Sequence, residues 1–598
     1  MNPPVPAVSF SYGAVRQPDG KTRFRLWAPN ARNGVSLEIA GSQPIGMRAV
    51  ADGFYEIDQQ CAPGTRYRYR VGPDLAVPDP ASRLQANDVH DDSVVVEPGS
   101  TYAWRYPDWR GRPWRETVLY ELHPGLAGGY AGIEARLPEL AALGITAVEL
   151  MPIADFPGQR NWGYDGVLPY APDRAYGEPD DLRRLIDTAH GLGMTVFLDV
   201  VYNHFGPDGN YLNAYAADFF REDVQTPWGA AIDFRRPQVR QYYAENALYW
   251  LTEYRFDGLR LDAVHAINDV GWLEEMAAFV RARIDPDRHV HLVLENDDNQ
   301  VHPLQHGYEA QWNDDAHHVL HHLLTGESEG YYEDYIEQPA QGLARALTEG
   351  FVYQGQPSRH RGGEKRGERS HLLPPTAFVL FLQNHDQTGN RALGDRLAPL
   401  LRDARVMKAA VALQLLTPQI PLIFMGEERG VETPFLYFTD HANVELAQAV
   451  RDGRRKEFQR FRAFANPATR ERIPDPNDPA TYTQSNPYEA KVDDAVLATY
   501  TELLALRRRA IVPYLDDARA IGSHVLGMRG VVAQWRLGNG AILSLYTNLG
   551  NVDLRPDWLQ VDLLDQTVLY ESEAGAGAAL YEGLLWHSCT IALLQTPA

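Results

Sequence analysis

Three carboxylates, two histidines and one arginine stand where short apolar runs of this chain end. Asp262 closes Gly258-Leu-Arg-Leu-Asp262, Glu295 follows Val290–Leu294, and Asp386 ends Gln383-Asn-His-Asp386. His204 ends Asp199-Val-Val-Tyr-Asn-His204, and His385 precedes Asp386. This set suits cleavage of a glycosidic bond. Retaining cleavage needs a nucleophilic carboxylate and a proton-donating carboxyl about 5 Å apart. Tips of adjacent strands lie ~4.8 Å apart, so Asp262 and Glu295 can meet that separation. Arg260, two residues before Asp262, falls on the same side of a strand, and its charge would keep a nucleophile ionised. Two nearby Asp and a dry pocket would raise the pKa of Glu295, so that it can donate a proton. Asp386 would then grip sugar hydroxyls and favour a distorted ring, with His204 and His385 adding hydrogen bonds. Tyr164 and Asp165, in Trp162-Gly-Tyr-Asp-Gly166, are further candidate substrate contacts, with the Tyr164 face available for stacking.

A single acid at a strand end is more often a helix cap or half of an ion pair. The joint pattern carries the argument, because every member falls at the end of a predicted strand. Two other groups have plainer readings. His317-His-Val-Leu-His-His322 has i,i+4 pairs at metal-ligand spacing, but no Cys accompanies it, and packed or substrate-facing histidines are the reading preferred. Asp199 and Asn203 suit Ca²⁺, yet orienting the loop after the strand serves equally. No cofactor or metal is assigned.

The elements that must position these groups are eight apolar runs: Val118–Leu122, Ala147–Met151, Thr195–Val201, Phe256–Leu261, Val290–Leu294, Glu309–Trp312, Ala377–Leu382 and Pro421–Met425. Runs of this kind read as buried parallel strands. Helical segments such as Ile133–Leu143 and Asp180–Leu192 lie between them. The prediction is an α/β fold: a (β/α)8 TIM barrel whose functional groups sit at the C-terminal ends of the strands. A long insertion, 205–234, follows the third strand. Before the barrel, residues 1–105 alternate with period two and read as an immunoglobulin-like β-sandwich. After it, 513–598 return to β character as a C-terminal all-β domain, which leaves 106–512 to the barrel. The most charged loop, Arg359–Arg369, precedes the seventh strand.

Bulk properties narrow the partners. A chain of 598 residues exceeds one core. A formal net charge of -23 argues against nucleic acid or an anionic membrane and favours a neutral substrate. Cys61 and Cys589 lie near opposite ends and read as reduced thiols. The first residues lack the charged and apolar regions of a signal peptide, and Ala409–Met425 is broken by Pro418 and Pro421, so neither export nor a membrane span is expected.

The four segments around Asp199–His204, Gly258–Asp262, Leu294–Asn296 and Gln383–Asp386 resemble the signature regions of the α-amylase superfamily of glycoside hydrolases. Further runs narrow the likeness: Glu327-Ser-Glu-Gly-Tyr-Tyr-Glu-Asp-Tyr335, Tyr353-Gln-Gly-Gln, Asp386-Gln-Thr-Gly-Asn-Arg391, Pro434–His441, Gly453–Phe458 and Ile473-Pro-Asp-Pro. With the three-part architecture, they look like the maltooligosyltrehalose trehalohydrolases. The resemblance implies that Asp262 is nucleophile, Glu295 acid/base and Asp386 transition-state stabiliser, with Tyr164, His204, Arg260 and His385 lining the −1 subsite. It also implies a substrate, an α-1,4-glucan capped by trehalose, and a cytoplasmic role beside a maltooligosyltrehalose synthase. The tip of strand six, Trp312-Asn-Asp-Asp315, is the candidate trehalose-side subsite through Trp312, Asp314 and Asp315. Three places depart from the family pattern: Pro124–Gly129, Arg429 and Thr483–Pro487. A glucan-branching or other α-glucan transferase of the same superfamily is the alternative. A non-catalytic glucan-binding scaffold is more remote, because all three acids are present.

Overall fold

The computed structural model describes residues 10–226, 229–267, 269–401, 403–555 and 566–597. Eight parallel strands close into a barrel in chain order. They are β1 (Leu119–Leu122), β2 (Ala147–Leu150), β3 (Thr195–Val200), β4 (Gly258–Leu261), β5 (His291–Leu294), β6 (Ala310–Trp312), β7 (Phe378–Phe381) and β8 (Ile420–Phe424). Every predicted run supplied one of them. Their residues are all buried, because the helices cover one face and the barrel interior the other. Leu119, Ala147, Phe197, Val293, Ala310, Val379 and Ile420 fill that interior. At Gly258 a Cβ would sit 2.1 Å from Phe197, so only glycine admits that ring.

Alternation along each strand then decides what points inward nearer the mouth. Those positions are Glu121, Glu149, Asp199 and Arg260 on β1 to β4, and Val293, Trp312, Phe381 and Leu422 on β5 to β8. One further inward step reaches Asp262 after β4 and Glu295 after β5.

Helices α1 (Gly129–Leu143) and α2 (Pro179–Gly191) pack outside, as the sequence suggests. α2 starts at Pro179, and the Asp181 side chain accepts the Glu178 N–H at 3.0 Å. Three more helices matter below: α3 (Asp314–Thr325), α4 (His385–Gly389) and α5 (Asp494–Ala510). Arg507 of α5 is buried and donates to the carbonyls of Leu415, Thr417 and Gln419, the loose end of the helix leading into β8.

Ahead of the barrel, two antiparallel sheets face each other, one built on Thr22–Trp27 and the other on Arg66–Val71. Phe24 meets Tyr67 edge-on between them at 4.8 Å. The insertion after β3 ties this sandwich to the barrel. Asn30 N–H donates to the Tyr215 carbonyl at 3.0 Å, and Asn30 Oδ1 accepts from Ala217 N–H at 2.8 Å. Residues 227–228 of that insertion, and the N-terminal stretch 1–9 where the sequence argues against export, lie outside the described residues.

Behind the barrel, a five-stranded antiparallel sheet spans Arg519–Leu526 to Cys589–Gln595. Trp535 of that sheet donates to the Leu347 carbonyl on the barrel's flank at 3.2 Å. Cys61 and Cys589 are buried in separate cores. Among the described residues, no helix is long and apolar enough to cross a membrane.

Candidate active site

β4 and β5 run in register, Leu261 opposite Leu294, so Asp262 and Glu295 are the next residues of neighbouring strands. Arg260 lies wholly buried beneath them. Its Nη1 donates to Asp262 Oδ1 at 2.8 Å and to both oxygens of Asp199 at 2.9 and 2.8 Å. Its Nη2 lies 2.8 Å from Glu295 Oε2, an ion pair off the angle of a hydrogen bond. One guanidinium therefore faces three carboxylates, and buried like charges need such a partner. The expectation gave Arg260 to Asp262, and two nearby Asp and a dry pocket to Glu295; in the structure Arg260 lies against Glu295 as well. Ala263 turns the chain with φ 39°, in the left-handed region, and aims its N–H at Glu295 Oε2 at 2.8 Å. Both contacts fall on Oε2 and neither on Oε1.

Asp386 lies at the start of α4, 30% exposed at its side chain, with Oδ1 accepting from Asn390 Nδ2 at 2.9 Å. His385 beside it is buried. Its N–H and Nδ1 are both held by Glu121 of β1. Its Nε2 meets the Tyr164 hydroxyl at 2.7 Å and lies 3.4 Å from Asp386 Oδ2. Burial opposes a charge on His385, but Asp386 and Glu121 outweigh it and lift its pKa to about 10. Both ring nitrogens therefore carry hydrogen at neutral pH. Tyr164 stacks on His385 at 5.0 Å and donates to Asp199 Oδ2 at 2.6 Å. Gly163 sets Tyr164 there, with φ 103° and a Cβ position 2.1 Å from the Pro152 carbonyl oxygen.

A continuous chain results: Glu121, His385, Tyr164, Asp199, Arg260, then Asp262 and Glu295. Burial raises Asp199 to about 7, against the pull of Arg260 and the Tyr164 hydroxyl. Glu149 sits in the same interior with neither carboxylate oxygen hydrogen-bonded. Burial first, then Glu121 and Asp199, push its pKa well up, so it stays a neutral acid. Sequence reasoning missed Glu121 and Glu149. The signal was present: each shares its strand's inward phase.

Asn203 takes the orienting role. Its Nδ2 donates to Asp262 Oδ2 at 3.2 Å, and its Oδ1 lies 2.9 Å from His204 Nδ1. His204 Nε2 meets the Tyr164 carbonyl at 3.0 Å, and burial lowers its pKa to about 4. Asp165 is held by Asn161 Nδ2 at 2.6 Å.

The alpha-amylase catalytic-domain model matches residues 100–226 and 224–514. A malto-oligosyltrehalose trehalohydrolase of Deinococcus radiodurans is 40% identical over 84% of this chain and 85% of its own. One of Saccharolobus solfataricus is 38% identical over 83% and 87%. The chain belongs to the α-amylase family and, within it, to the malto-oligosyltrehalose trehalohydrolases. A solved structure of a candidate alpha amylase from Salmonella typhimurium is similar over 98% of this chain and all of its own, with 41% identity and a TM-score of 0.90.

Within this family frame, the tip of β6 needs two corrections. Trp312 is buried, with the Arg260 guanidinium 4.4 Å above its ring, so it supports the site from below instead of meeting substrate. Asp315 is also buried and fully engaged. It accepts from Arg366 Nη1 at 2.9 Å, Asn299 Nδ2 at 2.9 Å, the Tyr335 hydroxyl, and the N–H groups of Val352 and Tyr353, each at 2.8 Å. The charged loop before β7 is thus a clamp. Arg361 also grips Asp297 and Asp298 just after Glu295. Asp314, by contrast, faces the cleft.

The histidines of α3 do not converge on a common point. His321 pairs with Glu327 at 2.8 Å, and His318 stacks on Tyr331 at 4.4 Å. A trio not foreseen, Glu274, His302 and His306, brings its ligand atoms within 4.8 Å of one another at the surface, and could share a cation. Of the three departures from the family pattern, the stretch 124–129 lies beside Tyr482, the residue before Thr483: a Cβ at Gly125 would lie 2.8 Å from its hydroxyl. Arg429, the third, lies 3.7 Å from Glu139 of α1.

Proposed function

We propose that this protein is a retaining glycoside hydrolase that cleaves the α-1,4 bond next to the terminal trehalose of maltooligosyltrehalose. It releases trehalose and a maltooligosaccharide. The observation that carries the chemistry is the single buried Arg260 shared by Asp262 and Glu295 on adjacent strand tips. The similarity to trehalohydrolases over most of the chain supports the substrate.

Asp262 attacks the anomeric carbon, with its Oδ1 held by Arg260 and its Oδ2 by Asn203. Glu295 gives its proton to the bridging oxygen and trehalose leaves. Glu295, now the base, takes a proton from water, which attacks the glycosyl–Asp262 ester and regenerates both groups. Asp386, His385 and His204 grip hydroxyls of the −1 sugar, and Tyr164 lies under its face. The reading needs an earlier reaction that forms the α,α-1,1 cap, the task of a maltooligosyltrehalose synthase, and places both in the cytoplasm.

Product analysis tests this directly. Maltotriosyltrehalose should yield free trehalose and maltotriose, while maltopentaose is cleaved far more slowly. Equal cleavage of both, or chain transfer without new reducing ends, would make it a general α-glucan enzyme or a transferase.

A further inference from the structure

Glu274 lies on the helix Val270–Arg281, which follows β4. His302 opens the short helix His302–Gln305 after β5, and His306 ends it. The two histidines stand at i and i+4, so their rings fall on one side, with centroids 4.1 Å apart. His302 Nε2 meets Glu274 Oε1. The ligand atoms of all three residues lie within 4.8 Å of one another.

Two close contacts hold the segments in this arrangement. The Tyr308 hydroxyl donates to the carbonyl of Leu273, the residue before Glu274, at 2.8 Å. Gly307, with φ 108°, runs so near the helix that a Cβ there would sit 2.8 Å from the Ala277 Cβ. The fold therefore gathers the donors before any ion arrives. Neighbouring acids are already taken, Glu275 by Arg240 and Glu309 by Arg281. Among the described residues, no Lys or Arg forms an ion pair with Glu274, whose partner is His302. The His306 ring is oriented as well. Its Nδ1 lies 2.7 Å from the His302 carbonyl oxygen, which only accepts, so Nδ1 carries hydrogen and the neutral ring keeps its lone pair on Nε2. Metal-binding histidines are commonly set by such a carbonyl behind the other ring nitrogen.

The donor set names the ion. Ca²⁺ and Mg²⁺ seek shells of oxygen, whereas two imidazoles with one carboxylate suit Zn²⁺ and its neighbours in the first transition row. Both histidines are exposed, so the side chains are free to draw in and water can complete the shell.

We propose that Glu274, His302 and His306 form a binding site for one divalent transition-metal ion of the Zn²⁺ class, held in place of the hydrogen that now joins His302 to Glu274. The ion staples the helix after β4 to the segment that runs on from Glu295. It takes no part in bond cleavage, whichever glucan the enzyme cleaves.

The test is calorimetric titration of the metal-stripped full chain with Zn²⁺ and, separately, with Ca²⁺, in wild type, His306→Ala and Glu274→Gln. Wild type should take up one Zn²⁺ with a Kd of about 1–10 µM, and each variant should weaken that site about tenfold or more. Ca²⁺ should not bind there. Excess Zn²⁺ should also slow the unfolding of wild type in urea about threefold or more and leave His306→Ala unmoved. No single-site uptake by wild type, or undiminished uptake by either variant, overturns the proposal: the trio is then a surface ion pair beside a stacked ring. Ca²⁺ bound as tightly as Zn²⁺ overturns the class of ion, and uptake that leaves wild-type unfolding unchanged overturns the staple.

Discussion

The two halves of the barrel interior are built from different chemistry. Near the mouth β1 to β4 point Glu121, Glu149, Asp199 and Arg260 inward, while β5 to β8 point Val293, Trp312, Phe381 and Leu422. The first half is a charged chain that reaches the nucleophile candidate Asp262. The second is a packed floor on which the guanidinium of that chain rests, Arg260 over Trp312 at 4.4 Å. Buried charges of one sign cannot be stacked around a whole barrel, because each costs several kcal/mol of desolvation unless paired. Confining them to one half lets a single arginine serve Asp199 and one imidazolium serve Glu121, while Glu149 goes without a hydrogen bond. The catalytic pair straddles the seam: Asp262 follows the charged half, and Glu295 follows the apolar half. They are expected to differ in task, because Asp262 is held at both oxygens, by Arg260 and Asn203, whereas the Arg260 and Ala263 contacts of Glu295 both fall on Oε2.

The largest effects should therefore come at the seam. Asp262→Asn should lower kcat on maltotriosyltrehalose by roughly 10⁴-fold or more, since no covalent intermediate can form. Glu295→Gln should cost roughly 10²- to 10⁴-fold. The two can be told apart with an activated leaving group that departs without protonation. Such a substrate should rescue the first step in Glu295→Gln and do nothing for Asp262→Asn. Rescue of both, or of neither, would break the division of labour across the seam.

Next comes a direct contrast of the halves. Arg260→Met leaves Asp199, Asp262 and Glu295 facing one another without a cation, at a cost of about 3–5 kcal/mol of stability. In protein that remains folded, kcat should fall about 10²-fold or more, because the nucleophile loses its fixed partner. Trp312→Phe removes part of the floor, with a cavity cost of about 2 kcal/mol and a weaker cation–π contact. Its kcat should stay within about tenfold of wild type. Urea unfolding and kcat measured on the same preparations decide it. If both variants lose activity in proportion to stability, the charged half has no special standing.

The fold was legible because apolar runs and turn-rich gaps are local signals. All eight barrel strands arose from such runs, and the polar groups at their ends fell on one face, as strand direction requires. The tip of β6 shows where reading stops. Trp312, Asp314 and Asp315 all end a predicted strand, yet one lies beneath the site, one faces it and one is locked outside it. Inward phase, running Ala310, Trp312, Asp314, does separate Asp314 from Asp315. What locks Asp315 is Arg366, 51 residues further along, and no local pattern reports a partner that far away. Glu121 was hidden differently. It lies inside an apolar strand, and its meaning depends on His385, which the closed barrel brings to it.

The mildest change tests that last contact. Glu121→Gln keeps one acceptor for the two His385 N–H groups, replaces the other with an amide donor, and removes one of the two charges that sustain the imidazolium. Burial, the largest influence on His385, already opposes protonation, so its pKa should drop from about 10 toward the neutral range. The sign follows from linkage. A histidine whose folded pKa is raised above its unfolded value near 6.5 stabilises the protein fully below about pH 6.5, and this is lost as pH rises through about 10. Wild type should thus hold a doubly protonated ring, able to donate toward Tyr164 and the sugar, across the neutral range. In the variant that donor disappears earlier. The kcat/KM profile of Glu121→Gln should bend downward, with rising pH, at least about one unit before that of wild type, one unit corresponding to roughly 1.4 kcal/mol of lost support for the charge. Superimposable profiles would mean that Asp386 alone sustains the imidazolium, and that the charged half of the barrel reaches the site through Arg260 only.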